Sequence, residues 1–357
     1  MKILHTSDLH INSPLTATLS AEAAAVRRRE INGSLTHVTK KAKELFATAV
    51  IIAGDLFDSE RVSEREIDRI LSEIKGAPDV SFYYLPGNHE KNVLEATRVS
   101  LPENLYIFGK EWTYFDTGTV VFAGRAVTEE NMFDTLTLSP KRKNIVVLHG
   151  EPRGVSAPGG VIGIKEAAER NITYLALGHY HSYSSFPIDA LGVAVYCGTP
   201  EGRGFDECGE CGAVLIDTDA PYPYHSFVKT ARRTLHSVDI DIDGTEMESD
   251  ITAKVISAIN HIPSCDIVRA RLVGKVASEV WIDTEGIRNC AMGRFFHSEL
   301  KNDTGIHISP QSFANDPTLR GELVRSVMAD NSLSEEAKGK IIACALWALD
   351  GDAYFGG

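Results

Sequence analysis

Five short segments of the chain place aspartate, asparagine and histidine side chains at spacings suited to binding metal ions. The segments are "SDLH", "GDLFD", "GNHE", "LHGE" and "GHYH", and their polar members are Asp8, His10, Asp55, Asp58, Asn88, His89, His149, His179 and His181. Carboxylate, amide oxygen and neutral imidazole, with no thiolate among them, favour manganese, iron, zinc or magnesium over softer metals. The set therefore predicts a site for divalent cations.

Two cations in such a site would act on phosphate esters. Cations about 4 Å apart need a shared anion, and the carboxylate of Asp55 can bridge them. The pair lowers the pKa of a shared water until hydroxide forms near neutral pH, and it neutralises the non-bridging oxygens of a phosphate. The predicted reaction is hydrolysis by in-line attack on phosphorus.

Each segment follows a short apolar run that predicts a β-strand. The runs are "KILHTS", "TAVIIAG", "SFYYLPG", "NIVVLHG" and "ITYLALG", rich in Val, Ile, Leu and Tyr. Helical patterns lie between them, among them one long stretch over residues 20–46 and "SEREIDRILSEIKG", with Ser63 as N-cap. Strands alternating with helices predict a layered α/β domain, in which the carboxyl ends of the strands gather ligands in one cleft.

Each segment also has a purely structural interpretation. Asp8 with His10 can form a capped turn, and Asp55 can be a helix N-cap. Asn88 can be a turn residue, and His149 a hydrogen-bonded histidine of the core. Because all five segments fall at predicted strand ends, a chance coincidence is improbable and the metal site is favoured.

The order of these motifs resembles that of a known family. D-x-H, G-D-x-x-D, G-N-H-E, a later H-G and G-H-x-H, over residues 1 to about 200, resemble the calcineurin-like metallophosphoesterases. The stretches "ILHTSDLHINSPL" and "YCGTPEGRGFDE", with the domain that follows, resemble more particularly the SbcD-type DNA repair exonucleases. The resemblance implies an α/β fold with a layered β-sandwich core flanked by helices and a small C-terminal α+β capping domain.

The resemblance also implies how the ligands divide between two metals. It assigns the first metal to Asp8, His10 and His181, the second to Asn88, His149 and His179, and the bridge to Asp55. Manganese is the expected metal, with iron, zinc or magnesium as alternatives.

Three further residues receive roles beside the metals. The resemblance places His89 next to the phosphate, which it steadies or whose leaving group it protonates, and Asp58 behind the bridge or the His89 ring. Arg203, in "PEGRGFDE", is a candidate contact for the substrate phosphate and equally a candidate for an exposed turn residue.

The implied activity is a nuclease, exonuclease or endonuclease, that cleaves phosphodiester bonds in DNA. The implied partners are DNA and a separate SMC-like ATPase chain with a long coiled coil, and a homodimer is also expected. The alternative is a phosphodiesterase for small molecules such as cyclic nucleotides or nucleotide-sugars. A scaffold that has lost its chemistry would show gaps among the ligands, and the motifs have none.

Composition and charge limit the class of protein. The formal net charge of −13 argues against broad electrostatic attraction to nucleic acid or anionic membranes, and it slightly favours the small-molecule alternative. No apolar run approaches the roughly 20 residues that span a bilayer. Because "MKILHTSDLH" turns polar too early for a signal peptide, a cytoplasmic location is expected.

A break in the alternation predicts two domains. The stretch 217–237 is rich in proline and aromatic residues, which is typical of a boundary or a crossing segment. We expect a phosphoesterase domain over residues 1–225 and a C-terminal α+β capping or accessory domain over 226–357. The basic runs 27–29 and 141–143 are expected to be solvated surface.

Overall fold

The computed structural model of the chain shows two compact units, Met1–Thr234 and Leu235–Gly357. It describes residues 1–349 apart from 16–18, 91–92, 95–98, 127–128, 130, 154–161, 223, 246, 278–279, 281 and 308–312. No helix among these described residues is both long enough and apolar enough to cross a bilayer.

The first unit contains two mixed six-stranded sheets. In spatial order, the first sheet consists of β12 (His225–Lys229), β11 (Gly212–Asp217), β1 (Lys2–Thr6), β2 (Ala49–Ala53), β3 (Ser81–Leu85) and β4 (Leu105–Ile107). The second consists of β5 (Thr113–Asp116), β6 (Val120–Gly124), β7 (Lys143–His149), β8 (Tyr174–Gly178), β10 (Val193–Tyr196) and β9 (Ser184–Pro187). Strands β1 to β4 are parallel in one sheet, and β6, β7, β8 and β10 in the other.

The two sheets pack face to face around a shared apolar core. Ile51 of β2 and Tyr83 of β3 meet Phe122 of β6 and Val147 of β7 in this core. The rings of Tyr83 and Phe122 stack with their centroids 3.8 Å apart. Strand β2 is buried along its whole length, which explains why its sequence, "AVIIA", is continuously apolar.

Helices cover the outer face of the first sheet. These are α1 (Ala21–Asn32), α2 (Ser34–Glu44) and α3 (Glu64–Lys75). Val38 of α2 and Ile70 of α3 pack against the sheet residues Val50 and Ile52. The outer face of the second sheet is covered by short 3-10 helices at Met132–Thr135 and Ile164–Ala167. The predicted α/β fold, a β-sandwich flanked by helices, is confirmed.

Two local features of these helices differ from expectation. The single helical stretch predicted over 20–46 is divided at Gly33, where a Cβ atom would lie 3.1 Å from the carbonyl oxygen of Arg29. The expectation that 27–29 is solvated surface is wrong for Arg27, which is 1% exposed. Its guanidinium donates to Glu30 at 2.6 Å and to Glu201 at 3.1 Å, so pairing allows its burial.

The second unit is built on parallel strands. Its sheet contains β13 (Leu235–Asp241), β14 (Ile267–Val273) and β16 (His297–Asn302), and a separate pair contains β15 (Lys275–Ala277) and β17 (Gly305–His307). Its helices are α4 (Glu248–Ile259), α5 (Thr284–Met292), α6 (Leu319–Ala329) and α7 (Glu335–Leu349). Val255, Leu272 and Ile287 pack in its core.

Candidate functional site

All five polar segments lie at the carboxyl ends of parallel strands. Asp8, Asp55 and Asn88 follow β1, β2 and β3 of the first sheet, and His149 and His179 end or follow β7 and β8 of the second. Because β2 packs on β7 and β8, the two sets of strand ends meet at one edge of the sandwich. The structure therefore brings the predicted site residues together.

The backbone at this edge is unusual. Asp8, His10, Asp55 and His179 have φ angles of 52°, 44°, 51° and 109°, in a region that residues other than glycine seldom adopt. Such conformations persist only where surrounding contacts impose them, and they concentrate at functional sites. Here they turn the side chains inward at the strand ends.

Two glycines allow the loops to approach closely. A Cβ atom on Gly87 would lie 2.0 Å from Oδ1 of Asp55, and one on Gly54 would lie 2.1 Å from Nδ1 of His149. Both positions exclude a side chain. The glycines of the G-D and G-N-H motifs are therefore needed for the polar groups to converge.

Asp8, His10 and His181 form one half of the cluster. The Nε2 atoms of the two histidines are 3.2 Å apart. Oδ1 of Asp8 lies 4.0 Å from Nε2 of His10 and 3.8 Å from Nε2 of His181. These three donor atoms are close enough together to coordinate one metal ion.

Asp55, Asn88 and His149 form the other half. Nε2 of His149 lies 2.8 Å from Oδ1 of Asn88 and 3.3 Å from Oδ2 of Asp55. The same Asp55 oxygen lies 3.8 Å from Nε2 of His10, so this carboxylate stands between the two halves. His179 packs its ring edge-on against His149 at 5.4 Å.

Hydrogen bonds behind the rings of His149 and His181 fix which of their nitrogens faces the cluster. Nδ1 of His149 donates to the carbonyl oxygen of Ala53 at 2.9 Å. Nδ1 of His181 donates to Glu207 at 2.7 Å, and Nδ1 of His10 lies 3.1 Å from Asp58. When Nδ1 carries the proton, Nε2 of a neutral ring carries the lone pair. In the neutral form of these rings, Nε2 is therefore the atom that can coordinate a divalent cation.

Burial and neighbouring charges set the protonation of these groups. Burial lowers the pKa of His10 to about 3, with a further contribution from the charge of Arg203, so its ring is neutral. Burial also opposes protonation of His149, but the hydrogen bond and charge of Asp55 outweigh it and raise the pKa to about 9. The pKa of Asp55 falls to about 2, because its interactions with His149 outweigh burial. Without a metal, a proton on His149 partly neutralises the carboxylates.

His89 and Asp58 lie beside the cluster. The side chain of His89 is 45% exposed, and its Nε2 is 3.9 Å from Oδ2 of Asp55. Nδ1 of His89 lies 3.2 Å from the backbone carbonyl oxygen of Asp58. The carboxylate of Asp58 lies near His10 instead, so the two ends of this residue contact different rings.

Arg203 also lies close to the cluster. Its Nε and Nη2 atoms donate to Oε1 of Glu207 at 3.0 and 2.5 Å, and its Nη1 atom donates to Ser13 at 3.2 Å. The side chain is 12% exposed. Its contact with a substrate phosphate stays a prediction.

Sequence reasoning missed two buried glutamates at the site. Glu90 accepts hydrogen bonds from the backbone N–H groups of Phe57 and Gly87, which ties the loop after β2 to the loop after β3. Glu207 accepts from His181 and from the backbone of Arg203. The fourth letter of "GNHE" was a signal for Glu90, whereas Glu207 lies in a loop that follows no predicted ligand strand.

Comparisons with known proteins agree with this geometry. Residues 1–200 match the family described as calcineurin-like phosphoesterase. The chain is 24% identical over 233 residues to the uncharacterized metallophosphoesterase YhaO of Bacillus subtilis (strain 168), covering 60% of this chain and 57% of that protein. It is 24% identical over 266 residues to the DNA double-strand break repair protein Mre11 of Sulfurisphaera tokodaii, covering 68% of this chain and 63% of that one.

The chain spans less than two thirds of the length of either relative. Among solved structures, the protein TT1561 of Thermus thermophilus aligns with a TM-score of 0.45 and 14% identity, over 64% of this chain and 98% of its own. The family match covers more than half of the 357 residues and includes the whole cluster from Asp8 to His181. The chain therefore belongs to the calcineurin-like phosphoesterase family.

Proposed function

We propose that the protein is a nuclease that hydrolyses phosphodiester bonds in DNA with two divalent cations, manganese first among them. The observation that carries the proposal is the convergence of Nε2 atoms from His10, His149 and His181 on the carboxylates of Asp8 and Asp55. Similarity to a protein named for DNA double-strand break repair and the SbcD-like motifs support DNA as the substrate.

The two halves of the cluster would each hold one cation. We assign the first cation to Asp8, His10 and His181, the second to Asn88, His149 and His179, and the shared position to Asp55. When bound, such a pair polarises a phosphate and lowers the pKa of a water. The protein contributes imidazoles whose Nε2 atoms converge and a carboxylate that lies within 3.8 Å of a ring in each half.

His89 is proposed to act on the substrate itself. It is the exposed imidazole of the group, and its Nδ1 donates to the carbonyl oxygen of Asp58, so Nε2 is directed toward the cluster. From this position Nε2 can contact a phosphate oxygen and, when protonated, donate its proton to the leaving oxygen. Asp58 is proposed to orient His10 and, through its backbone, His89.

Further proposals concern the rest of the molecule. We propose that the unit Leu235–Gly357 shapes access of DNA to the site, that an SMC-like ATPase is a partner, and that the chain forms a homodimer. The dimer is tested by light scattering after gel filtration, where a monomeric mass across the micromolar range would contradict it.

A substrate panel tests the nuclease proposal. With Mn²⁺ present, we expect cleavage of labelled duplex or single-stranded DNA, and loss of at least about 100-fold in rate for Asp55→Ala and for His149→Ala, since each removes a predicted ligand. His261→Ala, which changes an exposed histidine of the second unit, is the matched control and should retain full activity.

The panel also decides between substrate classes. The net charge of −13 favours the alternative, a phosphodiesterase for cyclic nucleotides or nucleotide-sugars. Activity on those compounds or on bis-p-nitrophenyl phosphate, without cleavage of DNA, would replace the nuclease by this alternative. Normal activity of both ligand variants would refute the proposed metal site.

A further inference from the structure

His181 donates a hydrogen bond to a carboxylate behind it, and one arginine contacts both that carboxylate and the carboxylate of Asp58. Nδ1 of His181 donates to Glu207 at 2.7 Å, and Nδ1 of His10 lies 3.1 Å from Asp58. Arg203 donates to Glu207 at 2.5 Å through Nη2, and its Nη1 lies 3.5 Å from Asp58. These five side chains form one connected network.

Arg203 has few donors left for a substrate. An arginine has five side-chain N–H groups. Nε and Nη2 both bind Oε1 of Glu207, Nη2 also lies 3.0 Å from Nδ1 of His181, and Nη1 faces Ser13 and Asp58. The backbone N–H of Arg203 donates to the other Glu207 oxygen at 2.7 Å, so the pair is fixed at both ends. A phosphate would have to displace one of these contacts.

The positive charge of Arg203 also stabilises the buried carboxylate of Glu207. Glu207 is buried, and a buried carboxylate without a cationic partner is strongly unfavourable. Nε and Nη2 of Arg203 both donate to Oε1 of this carboxylate and the backbone N–H of Arg203 donates to Oε2, so both oxygens and the plane of the carboxylate are fixed. With its plane fixed, Oε1 of Glu207 stays in line with Nδ1 of His181.

We propose that Arg203 and Glu207 are positioning residues that hold His181 in the orientation required by one of the two cations. The inference deepens the proposed function and rests on its dinuclear site. It gives Arg203 a role behind the ligands in place of a contact with substrate.

The network serves only one half of the cluster. His149, in the other half, is held by the backbone carbonyl of Ala53, which does not depend on Arg203 or Glu207. Disrupting the Arg203–Glu207 pair should therefore weaken the binding of one cation and leave the binding of the other unchanged. Loss of such an outer partner typically costs about 10- to 100-fold in metal affinity.

Manganese binding tests this without reference to catalysis. Free Mn²⁺ is measured by electron paramagnetic resonance during titration of the full chain, as wild type, Glu207→Gln, Arg203→Lys and the double variant. Glu207→Gln keeps the shape of the side chain, and Arg203→Lys keeps the charge but loses the paired Nε and Nη2 donors to Oε1. We expect the affinity for one of the two Mn²⁺ equivalents to fall about 10- to 100-fold. The double variant should bind Mn²⁺ no more weakly than Glu207→Gln, because Arg203 and Glu207 both act through His181.

The matched control is a pair of the same geometry away from the cluster. Arg69 donates to Oε1 of Glu66 on α3 through Nε at 2.8 Å and Nη2 at 2.5 Å. Glu66→Gln should bind both Mn²⁺ equivalents as the wild type does. Near-ultraviolet circular dichroism of every variant without metal checks that the fold is retained.

Each outcome decides a different claim. Unchanged Mn²⁺ binding in both single variants, or equal weakening of both equivalents, would overturn the inference and leave the nuclease proposal standing. An increased KM for DNA in Arg203→Lys with unchanged Mn²⁺ binding would restore Arg203 as a substrate contact. A wild-type chain that binds no Mn²⁺ would instead overturn the proposed dinuclear site itself.

Discussion

At the scale of single residues, the site depends on which ring nitrogen of each histidine is hydrogen-bonded to the surrounding protein. The backbone carbonyl of Ala53 and the carboxylate of Glu207 accept the Nδ1 protons of His149 and His181. The Nε2 lone pairs are then directed inward without any further rearrangement. Nδ1 of His89 likewise donates to the backbone carbonyl oxygen of Asp58, but this ring is exposed and lies beside the cluster.

His89 can therefore be separated from the metal ligands by mutation. His89→Asn should retain two Mn²⁺ equivalents and lower kcat by about 100- to 10,000-fold, since it removes the proposed proton donor and leaves the proposed coordinating atoms in place. Mn²⁺ titration and single-turnover cleavage measure the two effects. Loss of a Mn²⁺ equivalent would identify His89 as a ligand.

At the scale of elements, the strand ends were predictable and the loops between them only partly so. Apolar runs that end in Asp, Asn or His predicted which strands carry the site, because the carboxyl ends of parallel strands share an edge. The left-handed backbone at Asp8 and Asp55 was not predictable, since neither residue type requires it. Glu207 was missed because its contact with His181 depends on how a distant loop folds.

The close approach of two loops makes Gly87 irreplaceable. In Gly87→Ala the new Cβ would lie 2.0 Å from Oδ1 of Asp55, so the carboxylate or the loop must move. We expect loss of at least one Mn²⁺ equivalent in titration, although the core is untouched.

The same substitution elsewhere provides the control for this prediction. Gly339 lies in α7, and a Cβ there would meet nothing within 4 Å. Because alanine favours helix more than glycine does, Gly339→Ala should preserve Mn²⁺ binding and stabilise the fold by about 0.5–1 kcal/mol in urea unfolding. Equal Mn²⁺ binding by both variants would contradict the steric argument.

At the scale of the whole molecule, buried charges connect the site loop to more distant segments. Arg27 of α1 donates to Glu201 and to the carbonyl oxygen of Gly202, directly before Arg203. Arg233, at the end of the first unit, lies 2.9 Å from Glu30. Charge counts alone place such arginines at the surface, because pairing partners far apart in the chain are not visible in sequence.

Breaking this buried network should cost stability. Arg27→Met removes the cation between Glu30 and Glu201, and we expect the free energy of unfolding to fall by about 3–5 kcal/mol, as for other broken buried pairs. Arg28→Met, at the exposed neighbouring position, should change it by no more than about 0.5 kcal/mol. Urea unfolding measures the free energy of unfolding of both variants. A decrease for Arg27→Met no larger than that for Arg28→Met would show that the network contributes no stability.

The side chains of the cluster differ in solvent exposure, and this affects how ions enter and leave the site. Asp8, His10 and Asp55 are almost completely inaccessible to solvent, whereas Asn88 and His89 are exposed. Asn88 and His89 therefore line an exposed side of the cluster, past which a chelator or an incoming cation can approach. Occupying that side with a tight-binding phosphate analogue should trap the ions inside and slow their extraction by EDTA.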